Sequence, residues 1–110
     1  MANKWNIPDE LEQEIIQRDH CCGYCGAKFT SAAETRSTNA SWEHIVNDAR
    51  IVNQHNIARC CVACNASKGA KDLPVWLESS FCKTRGITKD TVADVVKRAL
   101  VHPPCIGDCE

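Results

Sequence analysis

Cys22-Gly23-Tyr24-Cys25 and Cys61-Val62-Ala63-Cys64 are the two stretches that decide the fold. In each, two residues separate the cysteines, which lets both sulfurs of one turn reach a single ion. Two such turns supply four soft ligands, the closed tetrahedral set of a structural Zn2+. Between Cys25 and Cys61 lie 35 residues. That gap exceeds what a simple zinc ribbon needs and leaves room for a β-hairpin clamped between the turns. Cys21 abuts Cys22 and Cys60 abuts Cys61, but only Cys22 and Cys61 have a cysteine three positions on. The expected ligands are therefore Cys22, Cys25, Cys61 and Cys64, with Cys21 and Cys60 as small buried neighbours.

Working outward, the 110 residues suit one small domain, in which a bound metal adds to a modest core. The finger spans about residues 20–69, and a helical extension spans about residues 73–101. Nine cysteines in a secreted chain would imply a disulfide framework. The opening MANKWNIPDELEQ is polar and then acidic, with no apolar run of signal-peptide length. No membrane-spanning run is visible either. The expectation is a cytoplasmic protein in a reducing compartment, where cysteine pairs more often hold metal. A redox reading of the pairs needs a βαβ context, which the pattern lacks. Cys82, Cys105, Cys109 and His102 come from separate segments, so Cys82 is expected in the helical core and the tail loose, without a second metal.

The net charge of −1 does not announce a polyanion partner. The first 20 residues carry Lys4 and Arg18 against Asp9, Glu10, Glu12, Glu14 and Asp19, and basic residues predominate slightly in the remainder. Arg50, Arg59, Lys68 and Lys71 form a modest basic set near the cysteine pairs.

The periodicity predicts a helix over 7–19, with Pro8 in its first turn and Leu11, Ile15 and Ile16 as its apolar stripe. A knuckle follows over 19–26, then a polar loop over 30–40. Strands are expected over 42–46 and 55–60, joined by a loop over 47–53. A helix over 62–68 should stop at Gly69. Leu73 to Arg85 reads as one helix ended by Gly86. Thr88 reads as the N-cap of a last helix, stopped by Pro103-Pro104. The expected fold class is α+β.

The ordered set Cys22-Gly-Tyr-Cys25-Gly26, Trp42-Glu43-His44-Ile45, Asn56, Cys61-Val-Ala-Cys64-Asn65 and Lys68-Gly69 resembles the HNH endonuclease family. Asn56 falls five residues before Cys61, and Asn65 directly follows Cys64. The resemblance covers Cys22 to Gly69. It departs from the family in the loop Ile45-Val46-Asn47-Asp48-Ala49-Arg50-Ile51-Val52-Asn53, which lacks the usual Pro and Gly, and in having Glu43 where aspartate is commoner.

The resemblance implies a ββα-metal finger with a four-cysteine zinc site, flanked by an N-terminal helix and C-terminal helices. It implies hydrolysis of DNA phosphodiester bonds, with His44 as general base on water. Asn56 would join the catalytic set by bracing the His44 loop, and Glu43 and Asn65 would hold Mg2+ or Mn2+. Lys68 would contact a DNA phosphate, and Arg59, Arg50 and Lys71 are either further DNA phosphate contacts or a solvated face with no ligand. One active site in a monomer or weak homodimer implies nicking of one strand. The alternative is a catalytically silent zinc module that binds DNA or protein. Glu43 and His44 should leave a regular strand on opposite faces, and the family brings them together with a bend.

Overall fold

The computed structural model describes residues 7–31 and 34–105. Its centre is an antiparallel hairpin, β1 (Ala40–His44) and β2 (Ile57–Cys61), followed at once by α2 (Val62–Lys68). Before it comes α1 (Asp9–Arg18), and a single 3-10 turn (Arg36–Thr38) lies within the polar loop. After it come α3 (Leu73–Leu77), α4 (Ser80–Arg85) and α5 (Asp94–Val101). The chain is a small α+β domain with a two-stranded sheet.

The register Trp42↔Arg59, Glu43↔Ala58 and His44↔Ile57 sorts the strand residues onto two faces. Trp42 and Ile57 pack with Ile7, Leu11, Ile15 and Val52 under α1. Ala58 and Cys60 join the larger core with Tyr24, Trp76, Cys82 and Val96. Alternation along a strand has this consequence: each successive side chain changes face.

Both strand ends differ from the sequence pattern, for one reason. The carboxamide of the fully buried Asn56 accepts from Val46 N (2.7 Å) and donates to Val46 O (3.1 Å) and Ile51 O (3.0 Å). Val46 therefore bonds to a side chain and not to a strand partner, so β1 ends at His44. On the other strand, Asn53 Oδ1 accepts from His55 N and Asn56 N at 2.9 and 3.1 Å. That Asx turn takes the N–H groups of 55 and 56 away from the ladder, although Asn56 O still accepts from Ile45 N at 2.9 Å, and β2 begins at Ile57.

In α1, Asp9, Glu10 and Glu12 in the first turn and Arg18 in the last complement the helix dipole. Pro8 is the residue before the first turn, not within it. Ile15 is buried while Ile16 is exposed, so the stripe is narrower than expected. Arg18 fixes the helix end to the sheet. It pairs with Asp19 (2.6 Å) and donates to Gln54 O (2.7 Å) and Ile57 O (2.9 Å). Asp19 in turn accepts from Arg59 N at 3.0 Å.

α2 runs as its sequence predicts. Cys61 caps it, its sulfur accepting from Cys64 N at 3.5 Å, and Gly69 ends it at φ 49°. The stretch 73–85 is two helices and not one. The Ser79 hydroxyl accepts from Cys82 N at 3.3 Å, and this N-cap starts α4 afresh. Thr88 belongs to a turn with Thr91, whose hydroxyl accepts from Thr88 N at 2.8 Å, so α5 begins only at Asp94. Cys82 is buried in the helical core, and Cys109 lies outside the described residues. No helix among the described residues is long and apolar enough to cross a membrane.

Trp76 joins the pieces. It is fully buried, meets Tyr24 edge-on with ring centroids 4.8 Å apart, and donates from its indole to Ser67 Oγ at 2.9 Å. Trp76→Ala should cost about 3–5 kcal/mol. In a urea titration, that cost appears as a lower midpoint at unchanged slope.

Candidate functional site

The four cysteines come together. The sulfurs of Cys22, Cys25, Cys61 and Cys64 all lie within 4.8 Å of one another, and Cys25 Sγ is 3.8 Å from Cys61 Sγ. Zinc–sulfur bonds of about 2.3 Å in a tetrahedron separate the sulfurs by about 3.8 Å, so the cluster fits such an ion. Each half is shaped by its own turn. Cys22 Sγ accepts from Tyr24 N and Cys25 N, both at 3.4 Å, as Cys61 Sγ does from Cys64 N. These amides stabilise thiolate, the form that binds metal. The thiol of Cys64, bonded to Cys22, helps hold Cys22 down to about 5 against the cost of burial. The same bond, with burial behind it, pushes Cys64 far up, and burial lifts Cys25 to about 11. The cluster can hold a structural metal such as zinc.

Cys60, outside the cluster, sits in the core with its sulfur 3.7 Å from Ser41 Oγ, and burial raises its pKa. Cys21 lies beside the knuckle, in a lone β-bridge with Lys28. The choice of Cys22 and Cys61 over these neighbours agrees with the structure.

On the α2 side of β1, Glu43 is buried in a charged triad. Tyr24 donates its hydroxyl to Glu43 Oε2 at 2.6 Å, and Lys68 Nζ lies 3.0 Å from the same oxygen. Lys68 Nζ also donates to His44 O at 3.5 Å. Burial pushes the Glu43 carboxyl up, while Lys68 and the Tyr24 hydroxyl pull back against that. Lys68 was expected to face a phosphate, but its side chain is fully buried. The cause is its place on α2, one turn after Asn65, where it meets the strand and finds Glu43. Tyr24, the single tyrosine of the chain, was not singled out by the sequence pattern, since it stands at a variable position between two cysteines.

Asn65 also faces β1. Its Nδ2 donates to Ser41 Oγ and to Trp42 O, both at 3.0 Å. Its other amide atom, Oδ1, is an oxygen donor, as is the Glu43 carboxylate, and both suit a hard cation such as Mg2+ or Mn2+. A positive charge already stands at Glu43, the Lys68 ammonium. The Lys68 ammonium thus compensates the buried Glu43 carboxylate, and the only group of His, Cys, Asp and Glu side chains among the described residues close enough to share a metal is the four-cysteine cluster.

His44 closes β1, in register with Ile57 and on the face opposite Glu43 by strand alternation. The strand is regular up to His44, without the bend that would turn both residues to one side. Burial lowers the His44 pKa from its usual 6.5; Asp48 opposes this and Lys68 adds to it. The loop that follows His44 is held by Asn56, through Val46 and Ile51.

The remaining expected DNA contacts divide. Arg59 is turned inward: its guanidinium stacks over Phe29 at 4.8 Å and donates to Asp19 O at 3.3 Å. Arg59 is half-buried, and these partners hold its head beside the knuckle. Arg50 and Lys71 are exposed, Arg50 paired with Asp48 at 2.8 Å and Lys71 donating to Ser67 O at 3.0 Å.

Comparison of the chain with protein-family models, with curated proteins and with solved structures gives no match.

The purified protein should carry one zinc per chain by metal analysis, and chelation should abolish its cooperative melting transition, as Cys61→Ser should. Glu43→Gln alone should cost about 3–5 kcal/mol, because it leaves a buried ammonium without its counter-charge. The pair Glu43→Gln with Lys68→Met should lose less than the two single changes summed, measured by denaturant titration.

Proposed function

We propose that this chain is a metal-dependent DNA endonuclease of the HNH kind, a ββα-metal finger that nicks one strand of duplex DNA. The observation that carries the proposal is the position of His44. It ends β1 just before a loop that Asn56 grips through three hydrogen bonds, within a hairpin–helix unit tied off by four cysteines. These residues stand in the order of the motif from Cys22 to Gly69, and that order supports the reading.

In this reading His44 is the general base. Its depressed pKa leaves the imidazole neutral at pH 7, ready to take a proton from water attacking the phosphate. Asn56 keeps the His44 loop from shifting, and precise placement of a base contributes to rate. Glu43 and Asn65 are the residues to hold Mg2+ or Mn2+, which when bound supplies Lewis-acid charge to the phosphate and the leaving oxygen. The zinc cluster is structural. Arg50 and Lys71 are the exposed cations placed to meet phosphates, giving weak, salt-sensitive binding. One site per chain, in a monomer or weak homodimer, cuts one strand per encounter.

One observation favours a second reading. The Glu43 carboxylate is already engaged by Tyr24 and Lys68, as it would be in a catalytically silent zinc module that binds DNA or protein.

A supercoiled-plasmid assay separates the two. The nuclease reading expects nicked circles with Mn2+ or Mg2+, none with chelator, and none from His44→Ala at unchanged zinc content and melting. A zinc-loaded wild type that leaves plasmid intact with every divalent metal supports the silent module. The base must be neutral to act, and burial lowers its pKa from 6.5, so the rate should fall with acid to half its plateau at a pH below 6.5, and a midpoint above 6.5 counts against His44.

A further inference from the structure

We propose that Cys25 is the oxidation site of the four-sulfur cluster, and that a hydroperoxide couples it to Cys61, releasing zinc and leaving a disulfide across the same junction. The proposal rests on reading the cluster as a zinc site and is independent of the nuclease reading.

Three observations carry it. First, the cluster is open on one side. Cys22, Cys61 and Cys64 are buried, with 3%, 2% and 1% of their surface exposed, whereas Cys25 is exposed. The next residue leaves that side clear. Gly26 stands at φ 77°, and a side chain built there would meet nothing within 4 Å beyond its chain neighbours. A small oxidant arriving from solvent therefore meets Cys25 before the other three. Second, a sulfur of the other turn is in contact. Cys25 Sγ lies 3.8 Å from Cys61 Sγ, so an S–S bond needs a closure of about 2 Å. Third, Cys22, the other cysteine of the same turn, is held by that turn. Its sulfur accepts from both Tyr24 N and Cys25 N at 3.4 Å, while Cys61 Sγ accepts from Cys64 N at 3.5 Å.

The chemistry balances with a hydroperoxide as the only oxidant. Cysteine bound to zinc is thiolate, the nucleophilic form. The Cys25 thiolate attacks one peroxide oxygen, so an S–O bond forms and the O–O bond breaks. Two electrons pass from sulfur to the peroxide, and the departing oxygen takes a proton from solvent. The Cys61 thiolate then attacks the Cys25 sulfur. The S–S bond forms, the S–O bond breaks, and the hydroxide that leaves takes a second proton. With hydrogen peroxide, two thiolates and two protons give one disulfide and two waters. Cys22 and Cys64 alone do not close a tetrahedron, so the ion is lost. The disulfide ties the knuckle to the corner of β2 and α2, the same two segments, until a thiol reductant and fresh zinc restore the starting state.

The test treats the zinc-loaded full chain with hydrogen peroxide. Released zinc is followed with a chromogenic chelator, and thiols and disulfides are mapped by alkylation and peptide mass spectrometry. A Cys25–Cys61 linked peptide should grow at the rate of zinc release, one for each ion. Cys25→His keeps a fourth zinc ligand without an oxidisable sulfur, and should slow release about tenfold or more. Cys21→Ser, beside the cluster, should release zinc at the wild-type rate. If Cys25→His does not fold, the wild-type map decides alone. A first disulfide within one turn, Cys22–Cys25 or Cys61–Cys64, overturns the proposal. So does first oxidation at Cys21, or zinc release from Cys25→His at the wild-type rate. A chain that binds no zinc removes the metal reading with it, whereas the expected oxidation in a chain that never nicks plasmid removes the nuclease alone.

Discussion

Four sulfurs within 4.8 Å of one another join a knuckle from the start of the chain to the corner where β2 becomes α2. The other elements are arranged around that junction. Cys61 is at once the last residue of β2, the N-cap of α2 and a member of the cluster. Gly23, inside the first turn, donates to Arg59 O at 3.0 Å, and its own carbonyl receives Ala93 N at 2.9 Å. A side chain at Gly23 would come within 3.4 Å of Arg59 O and 3.7 Å of Val96. The knuckle is thus packed between the sheet and the start of α5, with room at Gly23 for little more than contact. A core with few aromatic residues gains order from such a junction, since binding one ion there closes a loop of more than thirty residues.

A second constraint is electrostatic. The interior of the hairpin–helix unit contains a carboxylate, an ammonium and a phenol in contact. Hydrophobic replacements of such a group are often at least as stable, so the triad is a poor device for stability alone. It makes better sense as a device for position. Lys68 touches both Glu43 and the carbonyl of His44, and so links two adjacent residues that the strand itself sends to opposite faces.

Much of the fold was legible because its signals are local. The cysteine pairs chosen by spacing are the four whose sulfurs come together, and α2 begins at Val62 and stops at Gly69 as its sequence predicts. Asn56 was read as a brace for the loop after His44, and its three bonds to Val46 and Ile51 do that. What sequence missed depended on tertiary partners. The strand ends moved because Asn56 and Asn53 satisfy backbone groups that an alternating pattern assigns to the ladder. The break at Ser79 needed a hydroxyl to choose capping over continuation. Lys68 looked like a surface cation because lysine is rarely buried, and only the nearness of Glu43 across the helix–strand contact reverses that expectation. Arg59 is half-buried, its planar head also engaged by Phe29 and Asp19 O, contacts that the sequence pattern does not show.

His44 is where these constraints meet. Its carbonyl receives Lys68, the amide of the next residue, Ile45, donates to Asn56 O at 2.9 Å, and the loop beyond is gripped by the Asn56 side chain. The backbone on either side of the imidazole is thus held by Lys68 of α2 and by Asn56, the residue directly before β2. A backbone so held fixes the point from which the imidazole projects. The cost of burying Lys68 and Glu43 beside it is easier to understand if the position of His44 is what the fold protects.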